Sequence, residues 1–198
     1  MNKKIIATVA TIAAAGGGGA YFLTPSPEPT GHLYVMRGLF GGAGFQFSYG
    51  VDVAAKKAAE KYGLRYSVSS WRSSASMCQI AAEQYRKDKK PIFLLGHSLG
   101  GDRVTSVAWC LDAEKIPVRF AFYFDPTPNV GCVPSNVQFA TSWRRSFPLD
   151  LGGGYVKRCD GSKANIANVT LANSRHTKLD DDARAHNGLL ARIGLVLK

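Results

Sequence analysis

Pro91-Ile-Phe-Leu-Leu-Gly96-His97-Ser98-Leu99-Gly100-Gly101 joins an apolar run to a serine that has a glycine two residues away on either side. A short apolar run of this kind reads as a strand buried on both faces of a parallel sheet. From Leu99 onward, Val104, Val107, Ala108 and Leu111 recur at helical spacing. The chain must therefore pass from strand to helix within very few residues around Ser98. That reversal strains the backbone at the serine, and glycines two positions away remove side chains that would collide there. The Ser98 hydroxyl is then held at the carboxyl edge of the sheet, above the amino end of a helix, as in a nucleophile elbow. The plainer alternative for these residues is a glycine-rich turn with a capping serine.

Outward from this point, strand and helix patterns alternate. Residues 32–36 read as a first strand, ending in Arg37-Gly38-Leu39-Phe40-Gly41-Gly42. Val51, Ala54, Ala55, Ala58 and Tyr62 mark a helix stopped by Gly63. Residues 64–71 form a β-branched and aromatic second strand. A helix capped by Ser73 or Ser74 then runs to about Lys90, where Pro91 ends it. The helix after Ser98 extends to about Ile116. Residues 118–124 are a fourth strand closing in Asp125-Pro126-Thr127-Pro128, 137–141 a fifth and 166–172 a sixth. Ala183, Leu190, Ile193 and Leu197 mark a last amphipathic helix. Alternation of this kind predicts a parallel sheet with helices on both faces. The irregular stretches 126–135 and 146–164 are long enough to frame a substrate site.

The 198 residues suit one domain, and the net charge of +11 makes the chain strongly basic. Its cations are scattered rather than interleaved with aromatics, which argues against a nucleic-acid module and leaves anionic lipid or envelope polymers as charge partners. Lys3 and Lys4 precede 19 uncharged residues, Ile5 to Leu23. This fits either a cleaved signal peptide or a retained membrane anchor, with 24–30 as a proline-rich linker and 31–198 as the folded domain. Either reading exports the chain, to the periplasm, outside the cell or onto the inner membrane, and the anchor reading adds a membrane contact. Four cysteines fit export and allow three full pairings. Cys132 and Cys159 lie in loop-like stretches and are the favoured bridge. Cys110, inside a helical pattern, reads as a buried free thiol. Their spacing does not resemble zinc ligation.

In parallel sheets, ligands bind beyond the carboxyl ends of the strands. Ser98, Asp125 and His176 fall at three such ends, in the order Ser, Asp, His. Serine needs a base to take its proton. His176, in the turn-like Asn173-Ser-Arg-His-Thr, is the candidate. His32 reads as structural, His97 as pointing away from the Ser98 face, and His186 as a surface residue of the last helix. Asp125 would orient the imidazole. Its rivals are Asp102 in the first turn of a helix, Asp150 in a glycine-rich loop, and Asp180-Asp181-Asp182, which reads as a helix cap. Leu99 N–H and Leu39 N–H, in the loop after the first strand, are the candidate oxyanion donors.

With those residues placed, 31–198 resembles the α/β-hydrolase superfamily, in particular its small bacterial lipase-, cutinase- and thioesterase-like members. Two departures stand out. Arg37-Gly38 replaces the His-Gly pair that often precedes the oxyanion residue, and Asp125 follows the very next strand after the elbow, as in some thioesterase domains. The resemblance implies an α/β protein: a three-layer α/β/α sandwich with a mostly parallel sheet of about six strands and no large cap domain. It also implies a serine hydrolase of ester or thioester bonds in a small-molecule or lipid-like acyl substrate, with no cofactor and no metal. Phe40, Phe45 and Phe47 could line an acyl groove or belong to the core. The alternatives are an amidase or acyltransferase with the same residues, or a cationic envelope-binding module without catalysis.

Overall fold

A computed structural model of the chain describes residues 28–39, 48–146 and 152–197. The apolar segment 1–23, most of the linker, Phe40, Phe45, Phe47 and Asp150 lie outside the described residues. The first half of the chain forms β1 (Gly31–Arg37), α1 (Gly50–Tyr62), β2 (Leu64–Ser70), α2 (Ser74–Asp88), β3 (Ile92–His97) and α3 (Leu99–Ala113). The second half adds β4 (Val118–Phe124), β5 (Cys132–Val133), β6 (Val137–Arg145), β7 (Lys157–Arg158), β8 (Asn165–Leu171) and α4 (Ala183–Val196).

Six strands make one sheet in the order β2-β1-β3-β4-β6-β8, every neighbouring pair parallel. The short β5 and β7 pair separately. Successive side chains of a strand point to opposite faces, and both faces here are covered. Leu33, Val35, Phe93, Leu95, Phe120, Phe122 and Phe124 pack with apolar residues of α1 and α4. Tyr34, Met36, Ile92, Leu94, Ala121 and Tyr123 pack with those of α2 and α3. The result is a three-layer α/β/α sandwich. Among the described residues, no α-helix is inserted between β4 and α4.

The register fixes where function can sit. His97 on β3 lies beside Phe124 on β4. The next residues, Ser98 and Asp125, therefore leave neighbouring central strands at the same level.

Several boundaries differ from the sequence expectation, each for a local reason. The strand expected at 137–141 runs on to Arg145, because Thr141 and Ser142 are buried inside a doubly covered sheet and mask its apolar pattern. The helix expected to reach Ile116 ends at Ala113, with Lys115 at φ +57° turning Ile116 into the core. A single 3₁₀ turn, Trp71–Ser73, precedes α2, and the cap is Ser70, whose hydroxyl accepts the Arg72 N–H. Cys110 is no free thiol: it is exposed and bridged to Cys78, tying α2 to α3. Cys132 and Cys159 form the second disulfide, beside β5 and β7. Two disulfides are compatible with an oxidising compartment. No helix among the described residues is long and apolar enough to cross a membrane.

The Cys78–Cys110 bridge closes a segment with a sequence separation of 32. Replacing both cysteines with alanine is expected to lower stability by about 4 kcal/mol, through the entropy returned to the unfolded chain. Urea unfolding of the variant against the oxidised wild type measures it.

Candidate active site

Ser98 connects β3 directly to α3 with φ +55° and ψ −127°. A non-glycine residue there is strained by roughly 1–3 kcal/mol. The surrounding backbone enforces it. A Cβ on Gly96 would sit 2.3 Å from the Gly100 carbonyl oxygen, and one on Gly100 would sit 2.0 Å from the Met36 carbonyl oxygen. The Ser98 N–H donates to Phe124 O at 3.0 Å, which locks the elbow to β4.

Asp125 leaves β4 at φ +45° and is fully buried. Its N–H donates to Trp143 O on β6 at 2.7 Å. The carboxylate Oδ1 accepts the Arg145 N–H at 3.1 Å and the Gly153 N–H at 2.8 Å. The buried Arg145 guanidinium lies 3.3 Å from Oδ2. Burial pushes this carboxyl up, but the His176 and Arg145 hydrogen bonds and their charges outweigh it and hold it below the usual carboxylate range.

His176 opens a 3₁₀ turn, His176–Lys178, beyond β8. Its Nδ1–H donates to Asp125 Oδ2 at 2.7 Å, and Nε2 accepts the Ser98 hydroxyl at 2.9 Å. The three side chains expected from strand ends thus form one continuous hydrogen-bonded chain. Leu99 opens α3, where the first N–H groups have no intrahelical partner. Gly38, just before Leu39, packs against the serine: a Cβ on it would lie 2.9 Å from Ser98 Cβ.

The rival candidates have other partners. Asp102 accepts both the N–H and the hydroxyl of Thr127, fixing the loop after β4. Asp182 caps α4 by accepting the Arg184 N–H. Asp180 accepts the Gly50 N–H at 2.9 Å and so holds the start of α1. His32 is buried against Asp88 at 2.7 Å. His186 is not on the surface as expected: it is buried, stacked on Phe124 and donating to Asp180 O. A helix packed on a second helix can bury a polar position that a sequence pattern assigns to solvent.

Sequence reading missed the supports of the chain. Gly152 lies over the Asp125–His176 contact, where a Cβ would come within 2.2 Å of Asp125 Oδ2 and 2.3 Å of His176 Nδ1. The run Gly152-Gly153-Gly154 is the signal in the sequence, and by itself it marks only a loop. Arg145 gave none. A cleft of about 440 Å³ runs from Leu99 along α3, lined by Asp102, Arg103, Trp109, Thr127 and Val130 among others. Among the described residues, no group of three or more His, Cys, Asp or Glu is placed to hold a metal ion.

No family model and no curated protein matches the chain. Solved structures do. Human thioesterase 2 superposes with a TM-score of 0.53 at 14% identity, over 84% of this chain and 95% of that one. The RedJ thioesterase of the prodiginine pathway in Streptomyces coelicolor gives 0.52 at 10%, over 84% and 86%. A Xanthomonas campestris pv. campestris protein, assigned provisionally to the alpha/beta hydrolases, gives 0.50 at 18%, over 82% and 99%. The likeness is one of fold: this chain has the α/β-hydrolase fold.

Asp180 contrasts with Asp125. Burial, then the Asp181 charge, push its carboxyl up to about 6, against the Gly50 N–H bond and the His186 charge. The folded chain therefore binds more protons than the unfolded chain between about pH 4 and 6, and stability falls as pH rises through that window. Asp180→Asn removes this loss. The variant is expected to gain roughly 1–3 kcal/mol over wild type at pH 7 relative to pH 4. Urea unfolding at both pH values checks it, and the paired comparison cancels the opposite contribution of Asp125.

Proposed function

We propose that this chain is a serine hydrolase that cleaves carboxylic ester or thioester bonds through an acyl-enzyme on Ser98. The observation that carries the reading is the chain Ser98–His176–Asp125 on a strained elbow at the carboxyl edge of a parallel sheet. The Ser98 oxygen attacks the substrate carbonyl carbon while His176 Nε2 takes its proton. Asp125 keeps the imidazole proton on Nδ1 and stabilises the imidazolium that forms. The negative charge on the carbonyl oxygen is met by the Leu99 and Leu39 N–H groups, and the close packing of Gly38 on Ser98 supports that second donor. The imidazolium then gives its proton to the leaving alcohol or thiol. Water, deprotonated by the same histidine, attacks the acyl carbon and releases the acid and Ser98.

Fold likeness to thioesterases supports ester or thioester chemistry over other uses of the fold. The uncharged stretch 5–23, the two disulfides and the charge of +11 support an exported enzyme acting on lipid-like or envelope acyl groups, with the N-terminal segment as its membrane contact. Transfer of the acyl group to an acceptor other than water uses the same residues, and the cleft along α3 offers room for one.

A fluorophosphonate is expected to add to Ser98 in the wild type, read by peptide mass, and to spare Ser98→Ala. Asp125→Asn is expected to lower kcat on short nitrophenyl esters by about 10³-fold or more. A folded wild type inert to both reagents, yet binding anionic vesicles in a salt-sensitive way, would instead identify a binding module.

A further inference from the structure

His97 ends β3 immediately before the elbow, and its side chain is fully buried. Its Nε2 lies 2.9 Å from the carbonyl oxygen of His176. A carbonyl can only accept, so Nε2 carries a proton and donates it. On the other side, Nδ1 lies 2.5 Å from the Ser48 hydroxyl oxygen. In a neutral ring Nδ1 holds a lone pair, so the Ser48 hydroxyl donates to it.

The ring is held neutral. Burial, then the neighbouring His176, whose ring centre is 5.0 Å away, push the imidazole down to about 3. The hydrogen bond to His176 O and the charges of Asp125 and Asp181 pull the other way, Asp180 Oδ1 lies 3.9 Å from Nδ1, and the desolvation of the ring outweighs them.

Ser48 is itself placed against the strand-one loop. It sits at φ +64°, two residues before α1, and a Cβ on Gly38 would lie 2.8 Å from its hydroxyl oxygen and 2.9 Å from Ser98 Cβ. His97 thus spans two otherwise separate parts of the site. One contact reaches the peptide that carries the base. The other reaches the residue packed under the Gly38–Leu39 peptide.

Resting on the reading of Ser98 and His176 given above, we infer that His97 is a positioning residue that braces the His176 backbone against the Leu39 oxyanion loop. The physical need for it is clear. The side-chain bonds of His176 break and re-form as its proton moves to and from the substrate. A hydrogen bond to its backbone carbonyl takes no part in that transfer. It fixes the point from which the imidazole projects, and a misplacement of about 1 Å at a reacting group costs on the order of 10² in rate.

Replacement of His97 separates the two bonds. The Gln amide reaches the position of Nε2 and can donate there, whereas the shorter Asn amide reaches only the position of Nδ1, where its oxygen can accept the Ser48 hydroxyl. His97→Leu fills the space and offers neither. The rate constant for fluorophosphonate labelling of Ser98, and kcat on nitrophenyl acetate, are expected to fall about 10²-fold in His97→Leu, with KM changed less than about threefold. His97→Gln is expected to recover about tenfold of that loss, His97→Asn none, and Ser48→Ala to lose about tenfold. A folded leucine variant that labels at the wild-type rate overturns the inference, as does a glutamine variant no faster than the asparagine one. The Gln and Asn pair decides the matter if the leucine variant fails to fold. Independently of activity, nitrogen NMR should show His97 as the neutral Nε2–H tautomer from about pH 5 to about pH 8. A proton on Nδ1 in that range overturns the brace. A wild type that is inert to the probe removes the hydrolase reading instead, and leaves the tautomer measurement to judge the hydrogen bonds.

Discussion

Where β1, β3 and the first turn of α3 meet, there is no space for a side chain. Gly96 and Gly100 face each other and the Met36 carbonyl at distances that no Cβ could share. The helix can therefore begin directly on the sheet, and the single residue left to make the turn is forced to a positive φ. Its strain of roughly 1–3 kcal/mol is offset by the apolar burial around it, since β3 is buried at every position. The parallel register does the rest. With His97 beside Phe124, the residue after β4 lands next to the residue after β3. Asp125 is thus delivered close to Ser98 by the sheet itself, and only His176 has to be brought in by a longer path.

Two buried carboxylates near that junction show how local donors decide charge. Asp125 has the His176 Nδ1–H, two backbone N–H groups and the Arg145 guanidinium around it, and these overcome its burial. Asp180, nearly as deeply buried, has the Gly50 N–H on one oxygen, while its Oδ1 has no hydrogen-bond partner among the described residues. Burial wins there. The first arrangement suits a residue that must stay anionic beside an imidazole. The second suits a structural tie that loses stability when it ionises.

Much of the fold could be read in the chain because each signal was local. The apolar strands, the glycine that stops α1 and the capping Asp182 act within a few residues of themselves. The strand 118–124 was placed at both ends, since its whole length is apolar or aromatic apart from Arg119. Local patterns do not carry burial that comes from elsewhere in the chain. Thr141 and Ser142 look like the end of a strand, yet layers on both faces bury them inside it. Cys110 lies in a helical pattern that says nothing of a neighbouring helix 32 residues earlier in sequence. His186 looked solvent-facing because its partners, Phe124 and Asp180 O, belong to other segments.

The candidate site divides the same way. Sequence by itself offered a strand-to-helix reversal at Ser98, the candidates Ser98, Asp125 and His176 in that order, and the alternation that puts all three beyond strand ends. Those depend on backbone sterics and on hydrophobic period, which are properties of short stretches. Tertiary structure alone decided the rest: that Asp125 rather than Asp102, Asp180 or Asp182 faces the imidazole, that Gly152 leaves room for their contact, and that His97, read as pointing away, holds the backbone of His176. Each of these is a distance of a few ångströms between residues tens of positions apart. Such a distance is set by register and packing across the whole sheet, and no local pattern contains it.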